Sequence, residues 1–480
     1  MIFLRNIIFL LFVYFYSCSP IVSVQSLGFD NIVPSNWSND ITNSTEFTGE
    51  WWLMFQDSLL NSTMETFQKK STALQAIVAR TKKAHYTRLL TKNNYLPSIN
   101  ANLSGSGRKQ NLAAFGLPES FLGEDEQLSS SSQITSFSSS NYGLNIALQW
   151  EVDLWGKLFD DRVISNRQFK ISNYELSYLE FSYYVQFVKA YYSVVESKSQ
   201  LQLAEETVLS SSDLSNMVSS RYEKGLKSSL DLRLSESSVA SAEAQYEVNK
   251  QIYLISVRNL QLLIGLYPDG ILRHSETLPL SLPGVPILLP AKVIERRPDI
   301  RISLLNSKIA SGRISKAIKG FLPSIVLTSS SGTSSNDLKD ILNDDYQVSN
   351  EGLNLNFPIF QGFKLINNLK LEKINMELSE IVVIQTITRA FSEIEQLLFM
   401  EESNSKQLDA YIMASNQSIA AYGLSKEKYD SGLIGLTAVL DSQQRMFLSR
   451  SRVLSSSRSK IETRLNLILA LGGELEEESK

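Results

Sequence analysis

The chain has 480 residues, with 46 basic and 50 acidic side chains and a formal net charge of -4, so it lacks the basic excess that drives nucleic-acid binding. One cysteine and two histidines, His85 and His274, are too few for a Cys/His metal centre or a disulfide framework. An apolar content of 43% is enough to bury a core.

The N-terminus carries one positive charge, Arg5, and then an apolar run from Ile7 to Tyr16. That run is too short to span a bilayer and fits a secretory leader over residues 1–17. Cys18 stands just past it. A lone cysteine there is the acceptor expected in a bacterial lipoprotein signal, with Ser17 suited to the position before it; the alternative is a chance cysteine in an ordinary cleaved leader. No later run of 18 apolar residues offers a membrane-spanning helix. Residues 18–50 read as an extended segment.

Two passages open alike: "LPSINANLSGSG" from Leu96 and "LPSIVLTSSSGT" from Leu322. Each starts a strand. Ile99, Ala101 and Leu103 alternate with Asn100, Asn102 and Ser104. A second strand follows in "NYGLNIALQWEVDL", where Tyr142, Leu144, Ile146, Leu148, Trp150, Val152 and Leu154 alternate with polar or small residues. The loop between them, about Arg108–Ser140, is rich in Ser and Gly. In the later passage Ile325 and Leu327 begin one strand, and Leu353, Leu355 and Phe357 mark its partner.

No proline lies between Pro118 and Pro268, and none follows Pro358. Helical pattern runs from Lys157 to "RYEKG", where Gly225 is the stop, and from Lys364 to "KYDSG", where Gly432 is the stop. Each helix is roughly 100 Å at 1.5 Å per residue. Second helices follow at about Leu230–Ile264 and Thr437–Leu471. Helices this long imply coiled-coil-like packing, since the mean globular helix is only about 11–12 residues.

The doubling extends further. "RYEKGL" at Arg221–Leu226 aligns with "KYDSGL" at Lys428–Leu433, and Gly265 falls on Gly472 at the same offset of 207. The expected organisation is a first repeat over 51–265 (helix, hairpin about 96–154, helices 157–224 and 230–264) and a Pro-rich connector over 266–290. A second repeat follows over 291–473 (helix, hairpin about 322–359, helices 364–431 and 437–471), then an acidic tail over 474–480. Arg296, Arg297 and Asp299 begin the second repeat's first helix, with Pro298 suited to its first turn; ion pairs seating this helix on the connector are expected of them. Trp51 and Trp52 read as core residues or as a membrane-interface belt.

Strands of this length suit a membrane barrel, which about 9–11 tilted residues cross. Four strands cannot close one, because an open sheet edge in hydrocarbon leaves backbone groups unpaired at several kcal/mol each. If the strands lie in a membrane, several copies share one barrel.

These passages resemble the TolC-type outer-membrane efflux proteins, in particular the lipid-anchored NodT/OprM-like branch. The matching stretches are "WWLMFQDSLL" (Trp51–Leu60), "YLPSI" (Tyr95–Ile99), "WEVDLWGKL" (Trp150–Leu158), "RYEKGLKSSLDL" (Arg221–Leu232), "ERRPDIR" (Glu295–Arg301), "FLPSI" (Phe321–Ile325), "FPIFQG" (Phe357–Gly362) and "VLDSQ" (Val439–Gln443). The resemblance implies an α+β membrane protein: a homotrimer with a twelve-stranded outer-membrane barrel, four strands per chain, continued by a periplasmic helical barrel. It implies an outer-membrane location in a Gram-negative bacterium, contact with outer-membrane lipid, an acylated Cys18, and a periplasmic adaptor and inner-membrane transporter as partners. Passive conduction needs neither a cofactor nor an active site.

The resemblance also implies tip turns at Gly225 and Gly432 and an acidic gate at Asp441, which matches the family's position after the second turn. The companion acidic position three residues earlier is Ala438 here; its counterpart in the first repeat is Asp231. Asp231 is also spaced from Ser228 like a capping box, and Asp441 also reads as part of a solvated helix face. A secreted coiled-coil stalk, adhesin-like, is the alternative function; it leaves the amphipathic strands unexplained. An exported enzyme finds little support in a chain so poor in His and Cys.

Overall fold

A computed structural model describes residues 34, 36–38, 50–111, 136–279, 282 and 290–472. The expected leader, Cys18 and the acidic tail lie outside the described residues.

The elements are a 3₁₀ turn at Trp51–Phe55, α1 (Ser58–Lys70), α2 (Thr72–Asn93), β1 (Ser98–Asn111), β2 (Ser136–Val152), α3 (Lys157–Glu223) and α4 (Ser229–Ile264). Then come α5 (Pro290–Arg296), α6 (Pro298–Lys319), β3 (Ser324–Ser335), β4 (Gln347–Asn356), α7 (Lys364–Asp430) and α8 (Leu436–Ala470). The chain is thus mostly helical, with one four-stranded sheet in the order β1-β2-β3-β4, every pair antiparallel. Among the described residues no helix is long and apolar enough to cross a membrane. Two compact units are distinguished: a strand unit of residues 86–168 and 308–377, and a helical unit of residues 1–85, 169–307 and 378–480.

In the strand unit, β1 and β2 pair from Ser98↔Gln149 to Asn111↔Ser136. The strands therefore run further into the expected loop than the alternation alone suggested. The ladder continues through Ser, Gly and charged residues because the partner strand satisfies their backbone groups, whatever the side chains are. The sheet is attached to its flanking helices by polar contacts. Trp155 Nε1 donates to the Pro323 carbonyl at 2.7 Å. Lys319 Nζ reaches Asp160 at 2.7 Å and the Gly156 carbonyl at 3.0 Å. Asp153 accepts from the Phe159 amide at 2.8 Å, capping the first turn of α3.

In the helical unit the largest core joins the 3₁₀ turn, α1 and α2 to the middle of α3 and the ends of α4 and α8. Trp51 and Trp52 are buried in it, so they are core and not a membrane belt. Phe67 stacks on Phe187 with ring centroids 4.7 Å apart. Asp57 ties this core together: its Oδ1 accepts from the Leu59 and Leu60 amides at 3.0 Å each, from Ser275 Oγ at 2.8 Å and from Tyr191 Oη at 3.3 Å. Burial pushes the Tyr191 phenol up to about 12. A second core packs Val293 and Ile300 against Val383–Leu398 of α7 and the end of α8, with Trp37 edge-on to Phe391.

Arg297 is the residue before Pro298, where helical backbone is disfavoured, and the chain breaks there between α5 and α6. Its guanidinium pairs with Asp299 and Glu393, both at 2.8 Å, and donates to the Ala470 carbonyl at 2.8 Å. Among the described residues the partners of Arg297 beyond Asp299 belong to α7 and α8; residues 280–281 and 283–289 of the connector, on which it was expected to seat its helix, lie outside the described residues.

Candidate functional site

The candidate site lies where two helix-to-helix turns of the helical unit meet. At the first, α3 ends and Gly225 takes φ 71°. The Gly225 amide bonds to the Tyr222 carbonyl and the Leu226 amide to the Arg221 carbonyl, each at 2.8 Å. At the second, α7 ends and Gly432 takes φ 74°, with matching bonds to Tyr429 and Lys428 at 3.0 and 2.8 Å. This is the Schellman stop, for which glycine's left-handed backbone is suited.

The turns are joined by side chains. Arg221 Nη2 lies 3.1 Å from Asp430 Oδ1. Lys227 Nζ stands 4.2 Å and the Arg221 guanidinium 5.3 Å from the centroid of the Tyr429 ring. Tyr429 is fully buried among Leu214, Val218, Leu436 and Val439. Both cations keep part of their exposure, and cation–π contacts in such a setting contribute about 0.5–1 kcal/mol each. Sequence reading placed the glycines but missed this clasp, since its partners are some 200 residues apart and only the doubling hints that the turns are neighbours.

The two candidate carboxylates have different surroundings. Asp231, in the first turn of α4, closes a capping box: its amide donates to Ser228 Oγ at 3.1 Å and its Oδ2 accepts from the Ser228 amide at 3.4 Å. Asp441, in the second turn of α8, is exposed and accepts from Arg445 Nε at 2.9 Å. That hydrogen bond holds the Arg445 guanidinium above its usual range. Arg445 was legible as an i,i+4 partner on a helix face and went unread. Asp441 also borders a groove of about 1020 Å³ lined by α3, α4 and α8. Apart from Asp441 and Glu196, the groove's lining is uncharged and rich in Ser, Gln and Leu.

Among the described residues no three His, Cys, Asp or Glu side chains form a group able to hold a metal ion. The arrangement offers helix turns, a carboxylate and its paired cation, which can influence passing charge.

The model of the outer membrane efflux protein family matches residues 64–266 and 289–473. The probable efflux pump outer membrane protein SepC of Pseudomonas putida is 25% identical over 423 residues, covering 88% of this chain and 85% of that protein. The pyoverdine export outer membrane protein OpmQ of Pseudomonas putida is 23% identical, with 92% of each covered. Among solved structures, the CmeC outer membrane channel of Campylobacter jejuni superposes with a TM-score of 0.78 at 22% identity, over 93% of this chain and 92% of that one. The open-state MtrE channel of Neisseria gonorrhoeae gives 0.74 at 22% identity, over 92% and 95%. Both structures share the fold. With the family model matched on both sides of the connector, the chain belongs to the outer membrane efflux protein family.

Proposed function

We propose that three copies of this chain form one conduit of a tripartite efflux system, receiving substrate from a periplasmic adaptor and an inner-membrane transporter. As a family member the protein is an outer-membrane efflux channel. The observation that carries the trimer is the sheet: four strands, one amphipathic face, and two edges, β1 and β4, with no partner strand among the described residues. Lipid tolerates no open edge, and membrane barrels start at about eight strands. Two copies would leave little lumen, whereas three supply the strands for an aqueous pore.

The doubling supports two repeats. Each hairpin precedes a 67-residue helix, a glycine turn, and a helix of 36 or 35 residues. In the assembled conduit Gly225 and Gly432 are the turns of the periplasmic tip, and three Asp441 side chains form a ring that favours cations. Asp231 adds charge to the same region while capping α4. Cys18 carries the acyl anchor. Transport is passive, with no bond broken by the protein.

Reconstitution in a planar bilayer, with oligomer mass measured on the same preparation, tests the reading. Cation-selective channels from a trimeric species are expected. A monomer that stays in aqueous buffer without detergent and gives no conductance overturns it.

A further inference from the structure

The helices of the two repeats can be laid on each other residue by residue. α3 and α7 are both 67 residues long, so Lys157 falls on Lys364. α2 and α6 are both 22 residues long, so Thr72 falls on Pro298. In the strand unit the end of α6 packs on the start of α3, and this seam is ionic. Lys316 Nζ lies 2.7 Å from Asp161 and Lys319 Nζ 2.7 Å from Asp160. Ser315 Oγ donates to Asp160 at 2.9 Å, and the Arg167 guanidinium donates to the Lys308 carbonyl.

The equivalent positions are Asn367, Asn368 and Ile374 on α7, and Leu89, Leu90 and Asn93 on α2. None of them carries a charge. Where α6 comes closest to α3, Gly312 faces Ile164, and a Cβ there would stand 3.1 Å from it. Their equivalents are Tyr86 and Leu371. Tyr86, Leu90, Leu371 and Ile374 are 65, 71, 56 and 60% exposed. Large apolar side chains are thus exposed at positions whose counterparts in the other repeat are in contact. The two faces also continue the open sheet edges, since α2 leads into β1 and β4 leads into α7.

We propose that the α2 face of one copy docks on the α7 face of the next, as α6 docks on α3 within a copy, and that chemistry sorts the two seams: ion pairs within a chain, apolar side chains between chains. This rests on the trimer reading above. Sorting is needed because the repeats are alike enough to exchange partners. α6 on the α7 of another copy sets Lys316 and Lys319 against Asn368 and Asn367. α2 on a foreign α3 sets Leu90 and Asn93 against Asp161 and Asp160. Each exchange buries a charge without its partner, which the correct pairing avoids. The seams also differ in width. Axis separation follows the side chains at the contact, so Tyr86 in the place of Gly312 holds the helices of neighbouring copies further apart.

The test uses the full chain in detergent with Cys18→Ser as background. Leu90→Cys with Asn368→Cys, the equivalents of Lys316 and Asp161, is treated with a short bismaleimide, and oligomer mass is measured on the same preparation. Covalent dimers and trimers are expected, in a yield that does not fall as salt is raised, because an apolar contact is not screened. Lys316→Cys with Asp161→Cys is expected to link only within one chain. In a second arm, Leu90→Lys loses most of the trimer, and Leu90→Lys with Asn368→Asp recovers it by placing the Lys316–Asp161 pair between copies. A trimer that gives no links between chains, or no recovery in the double variant, overturns the seam and leaves the trimer reading intact. The same holds if residue 90 is labelled instead by a maleimide carried on a lipid, which assigns the face to the membrane. A link yield that collapses in high salt overturns its apolar character. A monomer by mass overturns both the seam and the trimer.

Discussion

Asp441 and Arg445 are partners one turn apart on α8, Oδ2 to Nε at 2.9 Å, so the expected gate carboxylate carries its own counter-charge. In the proposed trimer, three such pairs around the pore would weaken the negative ring that Asp441 alone would make. Both side chains are exposed, and a pair in that setting contributes little to stability. Its consequence is for the field. Arg445→Ala is expected to raise cation selectivity in single-channel recordings, whereas Asp441→Asn lowers it and raises conductance to large solutes. Unchanged selectivity in both variants would remove Asp441 from the gate.

Asp231 separates capping from gating. Its hydrogen bonds with Ser228 make the capping box observed at α4. Ser228→Ala is expected to destabilise the α4 start by about 0.5–2 kcal/mol, measured as faster hydrogen exchange over residues 229–233. Asp231→Asn should show a similar loss with little change in ion selectivity. A selectivity change as large as that of Asp441→Asn would make Asp231 a second ring.

The two turns show what the sequence can reveal and what it cannot. Gly225 and Gly432 were legible because a long helical pattern must stop somewhere and glycine fits the left-handed stop. The alternation from Tyr142 to Leu154 was legible because one face of β2 is apolar from Tyr142 to its end at Val152. The distal half of β1, Ser104–Asn111, was not, because its ladder is set by the partner strand. Cross-helix pairs were not legible either: Arg221 with Asp430, or Arg297 with Glu393, are side chains whose partners only the packing selects. Cys18 lies outside the described residues.

A buried pair of that kind joins α7 to α8. Arg464 Nη2 lies 2.5 Å from Glu401 Oε1, and both side chains are 11% exposed. Glu401 Oε2 and Arg464 Nε and Nη1 are buried with no hydrogen-bond partner among the described residues. The attraction in such a pair roughly offsets its desolvation, while a lone buried charge is costly. Glu401→Leu is therefore expected to lower stability by about 3–5 kcal/mol, and Glu401→Leu with Arg464→Met to recover most of it. Denaturant titration of the detergent-solubilised helical unit in the full chain reads both. If the double variant is as unstable as the single one, the pair itself stabilises the α7–α8 contact.

The helical core also predicts a pH dependence on the alkaline side. Tyr191 is fully buried, and burial is the main cause that raises its phenol from 10.0 to about 12. A raised folded-state pKa means the neutral form is the one favoured by folding. The stabilisation is complete below the unfolded value of about 10 and is lost as pH climbs through about 12. Two units correspond to roughly 2–3 kcal/mol. Unfolding free energy should therefore be insensitive to this group up to about pH 10 and fall between pH 10 and 12, with a shallower fall in Tyr191→Phe. That variant also leaves the Ser275 amide without its acceptor at 3.0 Å, so at neutral pH it should be less stable than the wild type by about 1 kcal/mol. An alkaline slope identical in the two proteins would show that Tyr191 ionises no later in the folded chain than in the unfolded one.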